Sequence, residues 1–378
     1  MVIVKEISEK KDIKKFIQFP NDLYRGHACY VPDMLDSQVA DFDRTKNPAY
    51  EYCDTKCFLA YRDGKPVGRI AAIYNTMANE KYNDNQMRFW HADYIDDAEV
   101  VDALFAAVET WAREKGCTSV HGPLGFSDMD REGLLVEGFD KLGMFLTYYN
   151  HPYYQTQMER MGYEKEIDWL EFRLELGEKG DERLQKLERM AEAVARRQKL
   201  HIAPLKNKRA VRPYVKGVFD LYNQVYIQLF GTVALTPTQV DRYVDEFLPL
   251  IDERTTAIIC NEENQVVAFG VAAPTISHAM QKCGGRLFPF GWAHVLHALK
   301  GKNNDTLDLF LIAVHPDLQG KGVTTIIMNK IVQFARENGI RYAETGPELE
   351  TNTDVHAQWR YFDCEQHMRR RCFIKKLT

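Results

Sequence analysis

The run His315-Pro316-Asp317-Leu318-Gln319-Gly320-Lys321-Gly322-Val323-Thr324-Thr325 joins an apolar stretch, Leu307 to Val314, to a segment whose apolar residues recur at helical spacing. A strand-to-helix turn of this kind leaves backbone N–H groups without intrahelical partners, and the helix dipole adds partial positive charge at the same point. Gly320 and Gly322 place no side chain between that backbone and an approaching anion. Lys321 supplies a cation, and Thr324 and Thr325 supply hydroxyls at the helix start. The chemistry expected of such a turn is capture of a phosphate or diphosphate. A plain tight turn can also use two glycines, but a strand before and a helix after are what phosphate binding requires.

The spacing is neither Gly-x-Gly-x-x-Gly nor a Walker loop. Gln319, Gly320, Lys321, Gly322 and Val323 instead resemble the pyrophosphate loop of the GNAT superfamily of N-acyltransferases, Gln/Arg-x-x-Gly-x-Gly/Ala, with Thr324 standing where the last Gly or Ala is expected. The resemblance implies an acyl-coenzyme A co-substrate, acetyl-CoA or another acyl-CoA, whose diphosphate sits in this loop. It also implies that Ala313 and Val314, at the end of the central strand, lie beside the thioester. A base on the acceptor side is often found earlier on that strand in this family, and Asp308 is the candidate; an edge-exposed, solubilising aspartate is the alternative. A tyrosine on the next helix commonly protonates the leaving thiolate. Asn352 through Tyr361 occupies the matching place, so Asn352 is expected on the coenzyme side and Tyr361 is the candidate acid. Tyr361 falls two residues late, with Trp359 at the expected position.

Other residues are compatible with chemistry but less specific. Glu344, Glu348 and Glu350 can attract a cationic amine or can be solvated loop charges. His294 and His297 form HxxH on an expected helix without a third ligand nearby, and Cys53 and Cys57 read as small buried hydrophobes, so no metal is expected. No Ser/His/Asp order or nucleophile elbow appears.

An internal duplication supplies the elements around the loop. Ala112-Arg113-Glu114-Lys115-Gly116, followed by Gly122-Pro123, parallels Ala335-Arg336-Glu337-Asn338-Gly339, followed by Gly346-Pro347. Leu104, Val108 and Trp111 correspond to Ile327, Ile331 and Phe334 at helical spacing. Each copy opens with a hairpin: Cys57 to Arg62 and Val67 to Tyr74 around Asp63-Gly64, then Thr256 to Cys260 and Gln265 to Ala273 around Glu262-Glu263-Asn264. Asn150-His151-Pro152-Tyr153-Tyr154 and Met161-Gly162-Tyr163 resemble the family's last motif in the first copy. The first copy's loop, Ala92-Asp93-Tyr94-Ile95-Asp96-Asp97-Ala98, carries three carboxylates and no glycine. Each would repel a diphosphate by about 1 kcal/mol or more, so only the second copy is expected to bind coenzyme.

The fold class expected is therefore α/β, with α+β mixed sheets, as two GNAT-like domains: 1–176 with a degenerate loop, a connecting helix over 177–200, and 201–378 with the coenzyme loop. The break at Gly177-Glu178-Lys179-Gly180-Asp181 marks the boundary. Gly284-Gly285-Arg286-Leu287-Phe288-Pro289-Phe290-Gly291-Trp292 reads as a lid, an acceptor-channel wall or packing between the halves. A chain of 378 residues with formal net charge −5 has no basic surface calling for nucleic acid, no apolar run of membrane-spanning length and no signal-like start. Its eight cysteines lack CxxC pairing. A cytoplasmic protein with neither nucleic-acid nor membrane partners is expected. The expected activity is transfer of an acyl group, acetyl in the first instance, to a small-molecule or peptide amine. A coenzyme-binding scaffold is the alternative, as is a tandem transferase using another acyl donor such as aminoacyl-tRNA, which an intact diphosphate loop counts against.

Overall fold

A computed structural model describes residues 1–177, 181–300 and 304–377. Glu178, Lys179 and Gly180, inside the expected break, lie outside the described residues. The chain divides into two compact units.

Unit 1 comprises Met1–Leu170, Ser277–Trp292 and Met368–Thr378. Its sheet begins with Ile3–Ile7, Cys53–Arg62, Lys65–Asn75 and Gln86–Tyr94, each antiparallel to the next. Asp63 and Gly64 turn the first hairpin with φ of 51° and 76°, the paired left-handed geometry that a two-residue loop demands. Gln86–Tyr94 then pairs in parallel with Ser119–Gly122, which requires a crossover. Helix Ala98–Glu114 is that crossover, burying Val100, Val101, Leu104, Phe105, Val108 and Trp111. The sheet continues with the chain's last strand, whose Phe373 faces Gly122 in antiparallel register.

Unit 2 comprises Glu171–Ile276 and Ala293–His367. Strands Ala257–Cys260, Val266–Pro274 and Thr306–Val314 are antiparallel, and Thr306–Val314 is parallel to Tyr342–Thr345 through the crossover helix Thr324–Asn338. The end of strand Glu164–Glu175 closes the sheet, with Leu174 opposite Ala343. Helix Glu182–Gln198 packs its stripe of Leu184, Leu187, Ala191 and Val194 into the same core as Ile327, Ile331 and Phe334.

The repeat extends to packing detail. A methyl group at Gly68 would fall 2.7 Å from Leu104 Cδ1, and one at Gly270 would collide with Ile327. Each crossover helix thus lies directly on a glycine of the neighbouring strand, at the residues the duplication aligns. The compact units are not the contiguous halves 1–176 and 201–378. Each takes its last strand, in part, from the sequence of the other half. Alternating polarity identifies a strand but does not say which sheet it joins.

Candidate functional site

Gly320 and Gly322 have φ of 70° and 81°, a backbone region that side-chain-bearing residues avoid. These two left-handed residues turn the main chain so that successive amides face one concavity. Gln319 N–H bonds the Pro316 carbonyl, Lys321 N–H the Leu318 carbonyl and Thr325 N–H the Gly322 carbonyl. Among the described residues, the N–H groups of Gly320, Gly322, Val323 and Thr324 have no acceptor in the protein. Four open donors therefore cluster at the start of helix Thr324–Asn338, with the dipole behind them. A Cβ at Gly320 would meet nothing within 4 Å, so no side chain plugs the turn there. The Thr325 hydroxyl is used within the loop, donating to the Gly322 carbonyl at 2.7 Å. Gln319 reaches back to the Val314 carbonyl at 3.1 Å, tying the loop to the strand end.

The strand leading into the loop is paired on one side for only part of its length. Thr306 to Leu309 lie opposite Tyr342 to Thr345, and Gly346 N–H closes the ladder on the Leu309 carbonyl. Among the described residues no strand pairs with 310–314 on that side. A register shift opposite Phe310 bends the strand at the same point. The Tyr226 hydroxyl accepts from Ile312 N–H at 3.3 Å and donates to the Ile312 carbonyl at 3.1 Å. Ile312 thus presents its backbone to the open edge. By alternation Ala313 turns its own toward Phe269, its partner on the other side.

Below the opening lies a buried acidic cluster. Asp308 is 1 % exposed and directly opposite Glu344. Burial pushes its carboxyl up to about 8, a Thr275 hydrogen bond pulls against that shift, and the Glu344 carboxylate adds to it. Asp308 Oδ2 has no hydrogen-bond partner. An aspartate this deep is not a solubilising surface group. Glu344 pairs with Arg173 through Oε1, and its Oε2 lies 2.7 Å from His367 Nε2, close enough for an ion pair but outside hydrogen-bond geometry. Burial also pushes Glu348 up to about 8, against a 3.0 Å hydrogen bond from Trp359 Nε1. His356 Nε2 is 3.6 Å from Glu348, and burial lowers its pKa, favouring the neutral ring.

Residues 215–362 match the family model described as "Acetyltransferase (GNAT) family". The tandem GNAT protein from the clavulanic acid biosynthesis pathway aligns over 100 % of this chain and 98 % of its own at a TM-score of 0.57 and 11 % identity. The chain has the fold of a tandem GNAT protein, and its match to the family model falls mainly in unit 2. A GCN5-related N-acetyltransferase from Sphaerobacter thermophilus aligns over 99 % of this chain and 95 % of its own, with TM-score 0.50 and 9 % identity. By sequence, Protein YghO of Escherichia coli K12 is 27 % identical over 99 % of this chain and 95 % of its own length. Bacterial ceramide synthase of Caulobacter vibrioides is 27 % identical over 82 % of this chain and 79 % of its own.

Within the GNAT-like unit 2, Asn352 caps helix Thr353–His356 with no side-chain hydrogen bond to it. Tyr361 ends the short helix Ala357–Tyr361, and its hydroxyl accepts from Arg360 at 2.9 Å. Trp359, the residue at the usual tyrosine spacing, is buried against Glu348. His294 and His297 are both exposed on helix Gly291–Leu299.

The GNAT-like unit 1 handles the equivalent turn differently. Asp97 accepts from Val100 N–H as an N-cap, and Arg62 bridges Asp97 and Glu99 at 2.7 and 2.9 Å. Tyr153 donates to the Tyr94 carbonyl at 2.6 Å and Tyr154 accepts from Tyr94 N–H at 2.9 Å, sealing the strand end. Sequence reasoning missed the polar interior here. Arg69 and Asp93 form a buried ion pair at 2.7 Å beside a narrow pocket that Arg131, Tyr30 and Tyr148 help line. An arginine inside the apolar run Val67-Gly68-Arg69-Ile70-Ala71 was the available signal. Also missed was a trio from three strands, in which His121 and Cys372 are buried and Glu166 is half-buried. His121 Nδ1 and Cys372 Sγ both reach Glu166 Oε2, at 3.0 and 3.3 Å. Burial and the Glu166 carboxylate raise the Cys372 thiol far above its ordinary value, so it serves as a donor. Arg173 and His367 escaped notice because both lie far in sequence from Glu344.

Proposed function

We propose that the chain is an acyl-CoA-dependent N-acyltransferase whose coenzyme sits on unit 2. The observation that carries this reading is the set of four unpaired amides at Gly320, Gly322, Val323 and Thr324. A diphosphate satisfies such donors, and the amide-bearing arm that follows a coenzyme's diphosphate would take the place of the Tyr226 hydroxyl on the Ile312 backbone to pair with that strand edge. Lys321 adds a cation at the mouth of the loop. The acyl thioester is thereby brought to the part of the strand that leads back to Asp308.

The amine nitrogen attacks the thioester carbonyl and forms the new C–N bond. The tetrahedral intermediate collapses with cleavage of the C–S bond, and the thiolate leaves. Asp308, when ionised, takes the amine's proton, and Tyr361 is the proposed donor to the leaving sulfur, with Asn352 on the coenzyme side. An entering ammonium favours the ionised form of Asp308 by direct attraction, so the group is poised for proton transfer near neutral pH.

One relative is named a ceramide synthase. Ceramides are amides of long-chain amino alcohols, which makes a lipidic amine with a long-chain acyl-CoA the pair to test beside acetyl-CoA and small amines. Turnover of an amine panel against acetyl- and long-chain acyl-CoA, followed by release of free thiol, tests the reading. Coenzyme-dependent thiol release is expected with at least one amine; none across the panel would leave a coenzyme-binding scaffold.

A further inference from the structure

Between Ser277 and Trp292 the chain makes an excursion that belongs to unit 1. Helix Ser277–Cys283 ends at Gly284-Gly285, and the chain turns through Arg286-Leu287-Phe288-Pro289-Phe290 into helix Gly291–Leu299. Phe288 and Phe290 are each 76 % exposed and Trp292 is 47 % exposed. Leu296, one turn beyond Trp292, is 47 % exposed as well. Isolated apolar residues on a surface need no explanation, but clustered aromatic rings mark a contact surface. We propose that this aromatic tip docks the protein on an anionic phospholipid bilayer.

The tip is held in place at its base. The Gly285 carbonyl accepts from Leu35 N–H at 3.1 Å, Gln281 Nε2 donates to the carbonyls of Ala28 and Tyr30 at 2.7 and 3.0 Å, and Arg286 donates to Gln18 at 3.1 Å. A side chain at Gly285 would collide with the Asp33 carbonyl, so glycine is what permits this seating. The rings therefore stand out from an ordered support. Their polar handle is already satisfied: the Trp292 indole N–H donates to the Pro289 carbonyl at 2.9 Å, and Trp292 N–H to the Leu287 carbonyl at 2.8 Å. Such a tip can leave water without stranding a donor.

Charge selects the partner. From Gln265 to Asn304 the sequence contains no Asp or Glu, while Lys282, Arg286 and Lys300 are cations on exposed positions. Shallow aromatic insertion and basic residues together make a stable surface anchor, and neither suffices alone. A second copy docking through the same patch would bring like charges together, which disfavours self-association. No helix among the described residues is long and apolar enough to cross a membrane. A surface anchor needs no span, and the aromatic tip shares no residue with the glycine loop at Gln319 to Thr325.

The test is co-sedimentation of the intact protein with vesicles of phosphatidylglycerol and phosphatidylcholine, beside vesicles of phosphatidylcholine alone. The wild type is expected to pellet with the anionic vesicles at low salt and to be released as salt rises. Phe288→Ser with Phe290→Ser is expected to lower partitioning on the order of a hundredfold, each ring contributing about tenfold. Lys282→Glu with Arg286→Glu is expected to abolish the salt-sensitive part. Unchanged melting temperatures show that both variants fold. Wild type remaining in the supernatant with anionic vesicles overturns the proposal, as does full binding by the double serine variant. So does a wild-type dimer that the serine variant converts to monomer in sedimentation equilibrium.

Discussion

Tyr94 to Ala98 and Val314 to Thr324 each carry the chain from the end of a central strand into a crossover helix, yet the two turns are chemically opposed. In the first, Asp97 fills the helix start, Arg62 neutralises it, and Tyr153 and Tyr154 close the strand end. In the second, two left-handed glycines leave four main-chain donors open. Packing behind the turns has not diverged in the same way, since Gly68 beneath Leu104 repeats as Gly270 beneath Ile327. The duplicated core constrains the glycine–helix contact because a methyl group would displace the helix. The turn at the helix start is free to exchange amides for carboxylates, because either satisfies the dipole by its own means.

Four substitutions sharpen this contrast. Asp308→Asn should have the largest effect, lowering kcat by roughly 100- to 10,000-fold as loss of a general base does. In the wild type, kcat/KM should rise with pH up to about 8 and then level off, as Asp308 loses its proton. Stability should move the other way. The unfolded aspartate ionises near pH 4 while the folded one holds its proton to about 8, so stability falls as pH rises between those values. Asp308→Asn removes that slope and should therefore be more stable than wild type at pH 9, by a few kcal/mol at about 1.4 kcal/mol per pH unit. A pH–stability curve unchanged by the substitution would show that Asp308 is not held protonated.

Gly270→Val should come next, destabilising unit 2 by about 1–3 kcal/mol through overpacking against Ile327, measured by urea denaturation. Gly68→Val should behave alike in unit 1 against Leu104. An effect in only one of the two would mean that the repeated packing is not equivalent. Asp97→Ala should be the mildest, costing about 1 kcal/mol of helix capping. It should leave coenzyme affinity untouched, and a gain or loss of binding would show that the first turn still takes part.

Much of this was legible in the sequence. The glycine turn, the duplication, both hairpins and the carboxylates of the first copy's turn are local patterns, in which the residues involved lie within a few positions of each other. What needed the structure is non-local. Asp308 reads as ambiguous from its strand, and only the Glu344 register and the enclosing packing set its protonation. Arg173 and His367 reach the cluster from distant segments, and the exchange of last strands leaves no trace in alternation. Phe288, Phe290 and Trp292 were visible as an unusual segment, but composition does not distinguish rings packed inside from rings standing in water.

Unit 2 alone is proposed to grip the coenzyme's diphosphate, through main-chain amides. Titration calorimetry of acetyl-CoA and a long-chain acyl-CoA into wild type and Gly322→Glu tests it most directly. One site per chain is expected for wild type, with affinity lost by at least about a hundredfold in the folded variant, through both the strained backbone and the added charge. Equal affinity in the two proteins, or a second site of similar strength, would contradict it.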